Sequence, residues 1–378
     1  MAKSERRDCG CIPAFEIVTR VGNRYSLVHY FAMTVRWEKK LTYFAVDTGT
    51  TNTTVWLMKD GRILRESKHP VGVRQTSIHG DRELLESTLR GTFCSLSRRA
   101  PSPPRFVLAA GMLTSQLGLL EVPHVLAPAG VGKLAENVRM KSFARVSPLP
   151  FFLVPGVRIG SAPCELSEVA YSDVIRGEET EIVGFQANAQ PRAHRTPWLL
   201  LHAGSHSKAI EVDARGRIVR SASTLSGEAL HALRTQTILA SRLRDLRSQE
   251  LQKSFFESGV RCSERYGLSR ALFMTRLLEG NSRYGQRELY SFLLGSLLAS
   301  DLQAFRSLGF LAPRRIRIVL SGQPNLQLAW RLMLKKDYDV KVVSPEVRAF
   351  AFLAGLREIV FASSAYRQFQ AGIAGIRD

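Results

Sequence analysis

One short pattern occurs twice in this chain and limits the fold more than any other feature. Tyr43 to Val46 is an apolar run, and Asp47-Thr48-Gly49-Thr50-Thr51-Asn52 is a polar turn built on one glycine. Thr53 to Met58 follows, rich in the β-branched and aromatic residues that suit a pleated, half-buried surface. Lys59-Asp60-Gly61 signals a hairpin turn, and Arg62 to Glu66 reads as a third strand. The same order returns at Leu199 to Leu201, His202-Ala203-Gly204-Ser205-His206-Ser207, Ala209 to Val212, Arg215-Gly216 and Arg217 to Arg220. Placing Gly49 on Gly204 aligns the two segments without a gap: Thr50 meets Ser205, Val55 meets Ile210, Leu57 meets Val212 and Gly61 meets Gly216. Agreement at both turns and in the following strand indicates a duplicated structural unit.

Strand-then-helix signals surround the two hairpins. Arg105 to Ala110 reads as a strand ending at Gly111. Ile316 to Leu320 reads as a strand ending at Ser321-Gly322, with a helix over Leu326 to Lys335. Asp339 to Val343 and a helix from Pro345 to Ala362 repeat the order, and Leu289 to Phe305 reads as a buried core helix. Alternation of this kind predicts an α/β fold. With 378 residues the chain is long enough for two domains, expected at 41–195 and 196–378. Residues 1–40 lack a clear period and read as an extension, either disordered or a product of start-site choice at Met33.

Composition narrows the function classes. The formal charge is +20, but Lys and Arg are spread along the whole chain, without the basic runs or aromatic interleaving that mark nucleic-acid binders. A diffuse positive field suits a phosphorylated nucleotide and an anionic substrate. The cysteines, Cys9, Cys11, Cys94, Cys164 and Cys262, have no zinc-ligand spacing; their odd count suggests reduced thiols in a cytoplasm. No run of about 18 uncharged apolar residues exists, which argues against a membrane span.

The chemistry concentrates in the turns. A glycine turn with several hydroxyls between two strands gathers backbone N–H groups into an anion-binding nest. Two such turns across a cleft can hold the β- and γ-phosphates of a nucleotide from both sides, which is most of what phosphoryl transfer requires. Asp47 opens the first turn, where its carboxylate can serve Mg²⁺; the second turn has His202 there. Between the hairpins lies the densest charged cluster, Asp173-Val-Ile-Arg176-Gly177-Glu178-Glu179-Thr180-Glu181. Its ordinary reading is the acidic first turn of a helix. Its functional reading is a carboxylate that accepts a proton from an attacking hydroxyl, with Arg176 as charge partner one helical turn from Glu179.

Asp47-Thr-Gly-Thr-Thr-Asn52, Gly111-Met112, Asp173-Val-Ile-Arg-Gly-Glu-Glu-Thr180, Gly204-Ser-His-Ser-Lys208 and Ser226-Gly-Glu228 together resemble the 2-dehydro-3-deoxygalactonokinase family, from about Phe44 to about Gly355. The resemblance implies two actin-like (ribonuclease H-like) α/β domains with a nucleotide cleft between them. It also implies a cytoplasmic kinase that moves the γ-phosphoryl of ATP, with Mg²⁺, to the 6-hydroxyl of 2-dehydro-3-deoxy-D-galactonate. Asp47 then serves the metal. Gly49, Thr50, Thr51 and Asn52 serve the phosphates from one side; Gly204, Ser205, His206 and Lys208 do so from the other. Ser321-Gly322-Gln323 would lie near the nucleoside. Glu178 and Glu179 are the leading general-base candidates, with Asp173 next. The chain departs from the family pattern with Thr48, Ala209 and Leu119 in place of tryptophans, Ala203 in place of a proline and Thr114 in place of a glycine. Ala299 and Asp301 stand where Gly-x-Glu is usual.

The substrate carboxylate needs a cation, and Arg74, Arg139, Arg158 and Arg176 are the candidates. Two other readings stand beside the kinase. One is an exopolyphosphatase-like phosphohydrolase, whose polyanionic substrate the net charge would suit. The other is a catalytically degraded regulator that binds nucleotide or sugar acid. The oligomeric state is open.

Overall fold

A computed structural model of the chain describes residues 17–21, 24–28, 41–187, 196–246, 250–312 and 316–374. The expected extension over 1–40 lies outside these residues except for one hairpin, Ile17–Val21 with Arg24–Val28.

The first sheet is built from β1 (Thr42–Thr48), β2 (Thr53–Lys59), β3 (Arg62–His69), β4 (Val107–Gly111), β5 (Arg139–Phe143) and β6 (Ser147–Leu153). Its order is β3-β2-β1-β4-β6-β5. β7 (Asp173–Ile175) ends a small three-stranded sheet and leads into helix α3 (Glu178–Ala187); α1 (Val73–His79) and α2 (Glu83–Ser97) precede β4. The second large sheet holds β8 (Trp198–Ala203), β9 (Ser207–Val212), β10 (Ile218–Thr224), β11 (Arg317–Gly322) and β12 (Asp339–Val342), in the order β10-β9-β8-β11-β12. In each large sheet an antiparallel three-strand meander is extended from its first strand by a parallel strand, β1 to β4 and β8 to β11. Both sheets run third-second-first-fourth and continue with one parallel strand, β6 in the first and β12 in the second, while β5 is added antiparallel at the edge of the first; this is the actin-like arrangement, and the duplicated hairpin is its core.

The repeat is real, but it is not gapless. Thr48 pairs with Thr53 across the first turn, whereas Ala203 pairs with Ser207 across the second, so the second turn is one residue shorter. Side chains alternate along a strand, and a one-residue slip exchanges its faces. Val55 and Leu57 lie on the outer face of the first sheet with Leu85, Leu89 and Phe93 of α2. Ile210 and Val212, their gapless partners, lie on the inner face, with Trp56 and Met58. The structural counterparts of Trp56 and Met58 are therefore Ile210 and Val212. The longer second hairpin turn restores the register, and Gly61 and Gly216 fall together again with φ of 74° and 79°.

Helices fill three layers. Outside the second sheet are α4 (Ser226–Gln236), α5 (Lys253–Tyr266), α6 (Leu268–Glu279), α7 (Gln286–Ser307) and α8 (Pro324–Leu334). Their side chains, with Phe256, Leu293 and Trp330 prominent, cover Leu199, Leu201 and Ala209. The middle layer holds α3 and α9 (Pro345–Phe361). Ile182, Val183, Phe352 and Leu356 meet both Ala45 of the first sheet and Leu200 of the second. α3 and α9 touch backbone to backbone: a Cβ at Gly184 would stand 1.7 Å from the Ala351 carbonyl oxygen, and one at Gly355 would stand 1.9 Å from that of Thr180. α10 (Ser364–Ala374) then packs Tyr366 and Phe369 against Phe106 and Phe152 of the first half.

Candidate active site

Both glycine turns are braced in the same way. Gly49 N–H donates to Asn52 O (2.8 Å) and closes the first turn; Val73 N–H and Arg74 N–H, at the start of α1, donate to Gly49 O (3.2 Å) and Thr50 O (2.9 Å). Gly72 permits that approach, since a Cβ there would lie 2.5 Å from Thr50 O. At the second turn Glu228 N–H donates to Ser205 O (2.9 Å), and a Cβ on Gly227 would lie 2.3 Å from Gly204 O. A second glycine pair holds the neighbouring strands. Gly111 (φ 74°) sits against Thr48 O and Gly322 (φ 115°) against Ala203 O, where a Cβ would approach to 2.5 and 2.0 Å. Gly111 also brings β4 up to Asp47, whose Oδ1 would stand 3.0 Å from such a Cβ.

Between the turns lies a charged cluster. Asp47 is the next-to-last residue of β1 and does not open the loop, and its side chain is 23% exposed. Glu178 begins α3; its Oε1 accepts from Lys208 Nζ (2.7 Å) and its Oε2 from Arg176 N–H (3.1 Å). Burial pushes the Glu178 carboxyl up, but Lys208 and His202 outweigh it and hold the group below the usual carboxylate range. Glu181 accepts from Ser321 Oγ (2.9 Å) and pairs with Arg348 of α9; against burial, Arg348 and His202 draw its pKa down to about 2. Arg348 also reaches Asp47 (3.7 Å). Burial, helped by Glu181 and Glu178, raises Asp47 to about 6 in spite of that contact.

The sequence-level candidates separate on this geometry. Asp47, Glu178 and Lys208 come together. Glu179 does not join them: it has no exposed surface, both its oxygens accept from Gly177 N–H (2.8 and 2.7 Å), and burial with Glu178 nearby raises it to about 8. Asp173 accepts from Ser221 Oγ (2.6 Å) and Ser223 Oγ (3.1 Å) of β10, tying β7 to the second sheet. Arg176 is a correction. It precedes α3 instead of lying on it, because Gly177 (φ 111°) turns the chain first. Its guanidinium donates to Thr114 O (2.6 Å), Thr114 Oγ1 (2.7 Å) and Val122 O (2.9 Å). Thr114, one of the departures noted above, thus supplies a hydroxyl to a buried arginine. Of the other cations considered for a substrate carboxylate, Arg139 is exposed on the edge strand β5, and Arg158 sits near His124.

A cavity of about 150 Å³ opens between the two turns, lined by Thr51 and Arg74 from one side and Gly204, Ser205, Arg234 and Gln323 from the other. Gly49, Thr50, Asn52 and Gly322 adjoin it in the chain. Arg74 crosses to Glu228 Oε1 (3.3 Å), and His206 Nε2 lies 3.9 Å from the same oxygen. Among the described residues no three His, Cys, Asp or Glu side chains converge as metal ligands. A divalent ion fits only as Mg²⁺ usually binds, through phosphate oxygens and water with one protein carboxylate, here the partly exposed Asp47. Glu181, Arg348, Glu228 and Arg234 were not singled out from sequence as site residues. Glu181 stands inside the acidic segment that was, and Glu228 inside the Ser226-Gly-Glu228 motif; Arg348 carries no local signal, since Glu181 and Asp47 are distant from it in the chain.

Comparison with known proteins shows the family and the fold. The family model described as 2-keto-3-deoxy-galactonokinase matches residues 47–359. A 2-dehydro-3-deoxygalactonokinase of Escherichia coli (strain K12) is 23% identical over 325 residues, covering 85% of this chain and 98% of the relative. A Rhizobium meliloti (strain 1021) protein described as a candidate enzyme of the same name is 24% identical over 272 residues, 69% of this chain and 80% of the relative. A crystal structure from Sinorhizobium meliloti, described as a candidate 2-dehydro-3-deoxygalactonokinase, superposes with a TM-score of 0.64 at 21% identity, covering 84% of this chain and 99% of that one. Among the described residues no single helix is long and apolar enough to cross a membrane.

Proposed function

The chain belongs to the 2-keto-3-deoxy-galactonokinase family, and from that premise we propose that it transfers the γ-phosphoryl of ATP to the 6-hydroxyl of 2-dehydro-3-deoxy-D-galactonate in the cytoplasm. The observation that carries the reading is the pair of matched glycine turns, each with carbonyls bonded to a helix start, from which Thr51, Gly204 and Ser205 line one cavity. With those carbonyls and the Gly49 N–H taken, the turns' other N–H groups and hydroxyls remain to meet phosphate oxygens. Thr50, Thr51 and Asn52 hold the phosphates from the 41–195 lobe; Ser205 and His206 hold them from the 196–378 lobe; Gln323 lies toward the nucleoside. Mg²⁺, carried by Asp47 and the phosphates, supplies charge neutralisation when bound.

Glu178 is the general base in this proposal. It is ionised at neutral pH, whereas Glu179 keeps its proton and faces inward. Lys208 holds the Glu178 carboxylate in place before transfer, and the 6-hydroxyl of the sugar acid gives its proton to Glu178 as it attacks. The test is a coupled ADP-release assay against a panel of 2-keto-3-deoxy acids, with polyphosphate alone as a separate arm. Turnover that needs a sugar acid is expected. Acid-independent polyphosphate hydrolysis would replace this reading with the phosphohydrolase, and binding of nucleotide without turnover of any kind would replace it with the regulator.

A further inference from the structure

The Arg74–Glu228 pair has a specific position. Arg74 is anchored through its backbone N–H to Thr50 O of the first turn (2.9 Å), and Glu228 through its own to Ser205 O of the second (2.9 Å). Their side chains meet across the gap at 3.3 Å, through one guanidinium nitrogen only. The ion pair thus spans the space between the two phosphate turns, with each partner fixed at its base to one of them. Arg74 and Thr51 line the cavity together, and Arg234 and His231 line it on the far side. Glu228 is an acid set among these basic groups, and His206 approaches the same carboxylate oxygen.

We propose that Arg74 is a catalytic residue that contacts the terminal phosphoryl group of the bound nucleotide, and that Glu228 occupies that anion's place when no nucleotide is present. The inference rests on the kinase reading, since it needs a nucleoside triphosphate between the turns. A guanidinium presents a planar fork matched to phosphate oxygens, and its single-pronged contact with Glu228 leaves the remaining N–H groups for a better acceptor. The incoming terminal phosphoryl takes Arg74 from Glu228, and the released carboxylate turns to His206. Arg74 therefore reads the group that distinguishes ATP from ADP, and it stays with that group as charge builds during transfer.

Calorimetric titration of ADP and of a non-hydrolysable ATP analogue into wild type, R74A, R74K and E228Q tests this, with steady-state kinetics on the same preparations. In wild type the analogue binds tighter than ADP. R74A is expected to lose about 10- to 100-fold in analogue affinity and to keep ADP affinity within about 2-fold, with kcat falling further than KM for ATP rises. R74K keeps charge without the fork and falls between. E228Q removes the competitor and tightens analogue binding. Equal loss of ADP and analogue affinity in R74A, or weakened analogue binding in E228Q, would make the pair a structural latch and overturn the inference. Retained ADP binding shows that each variant is folded. Failure of wild type to bind either nucleotide would instead sink the kinase reading itself.

Discussion

Lys208→Met tests the centre of the cluster most directly. Glu178 is 7% exposed and its only cationic hydrogen-bond partner among the described residues is Lys208, at 2.7 Å. At that distance and an effective permittivity of about 20, their attraction is roughly 6 kcal/mol before desolvation is charged against it. Removing one partner of a buried pair leaves the other ion stranded and costs about 3–5 kcal/mol. Glu178 limits the loss by taking up a proton, at about 1.4 kcal/mol per pKa unit. In wild type its folded pKa lies below the ordinary value. Its contribution is therefore full above the unfolded pKa and is lost as pH falls through the folded one. In Lys208→Met the folded value rises above the ordinary one, so the penalty grows with pH and fades in acid. Urea unfolding followed by circular dichroism, on wild type, Lys208→Met, Glu178→Gln and the double variant, measures this at about pH 7.5 and about pH 5. A loss of about 3 kcal/mol at the higher pH is expected, smaller at the lower, with more than half recovered in the double variant. A wild-type midpoint for Lys208→Met at neutral pH, or no recovery in the double variant, would refute the reasoning.

Other residues give independent tests. Glu179→Gln should be more stable than wild type at pH 7, because the native carboxyl, raised to about 8, holds a proton there that the unfolded chain has already lost. In thermal melts the advantage should open as pH rises from about 4.5 toward 8 and stay level above that. Asp47→Asn should abolish ADP release with an unchanged far-ultraviolet spectrum. In wild type kcat/KM should fall as pH drops through about 6, where Asp47 gains its proton, and a flat profile there would remove Asp47 from the chemistry. Gly227→Ala should weaken nucleotide binding and cost about 1–3 kcal/mol, since its Cβ would meet Gly204 O at 2.3 Å. Gly91→Ala, where a Cβ meets nothing, should gain about 0.5–1 kcal/mol in the same melts as a helical control.

What was legible in the residues is whatever depends on local pattern. The hairpins, the Ser321-Gly322 strand end and the helix beginning at Pro345 all have nearby causes: β-branched alternation, a glycine at positive φ, and a Ser-Pro start in which Ser344 accepts from Val347 N–H. The buried helix expected at Leu289 to Phe305 stands within Gln286–Ser307 for the same reason, an apolar surface on every side. Gly72 and Gly227 were also within reach, since they stand at the spacing that relates Gly49 to Gly204. Gly111 and Gly322 were each read as strand ends, but their correspondence was not legible, because the segment between hairpin and fourth strand is far longer in the second half. The one-residue slip between the hairpins was hidden because two identities at glycine outweigh a face reversal that only pairing reveals. Arg348 could not be assigned, since Glu181 and Asp47 become its neighbours only when α9 returns to the first sheet.

That return affects how the protein is made. The inner face of the first sheet is covered by Phe352, Leu356 and Tyr366, which leave a ribosome long after the sheet they cover. A nascent chain that already contains all of β1 to β6 still presents Tyr43, Phe106 and Phe152 without their final cover. The first-made half must then wait, aromatic side exposed, until α9 and α10 have been made. Chains arrested before Pro345 should bind a hydrophobic dye and be cut rapidly by protease in the first sheet, while released full-length chains resist both. Equal resistance in the arrested chains would show that the first half closes on its own.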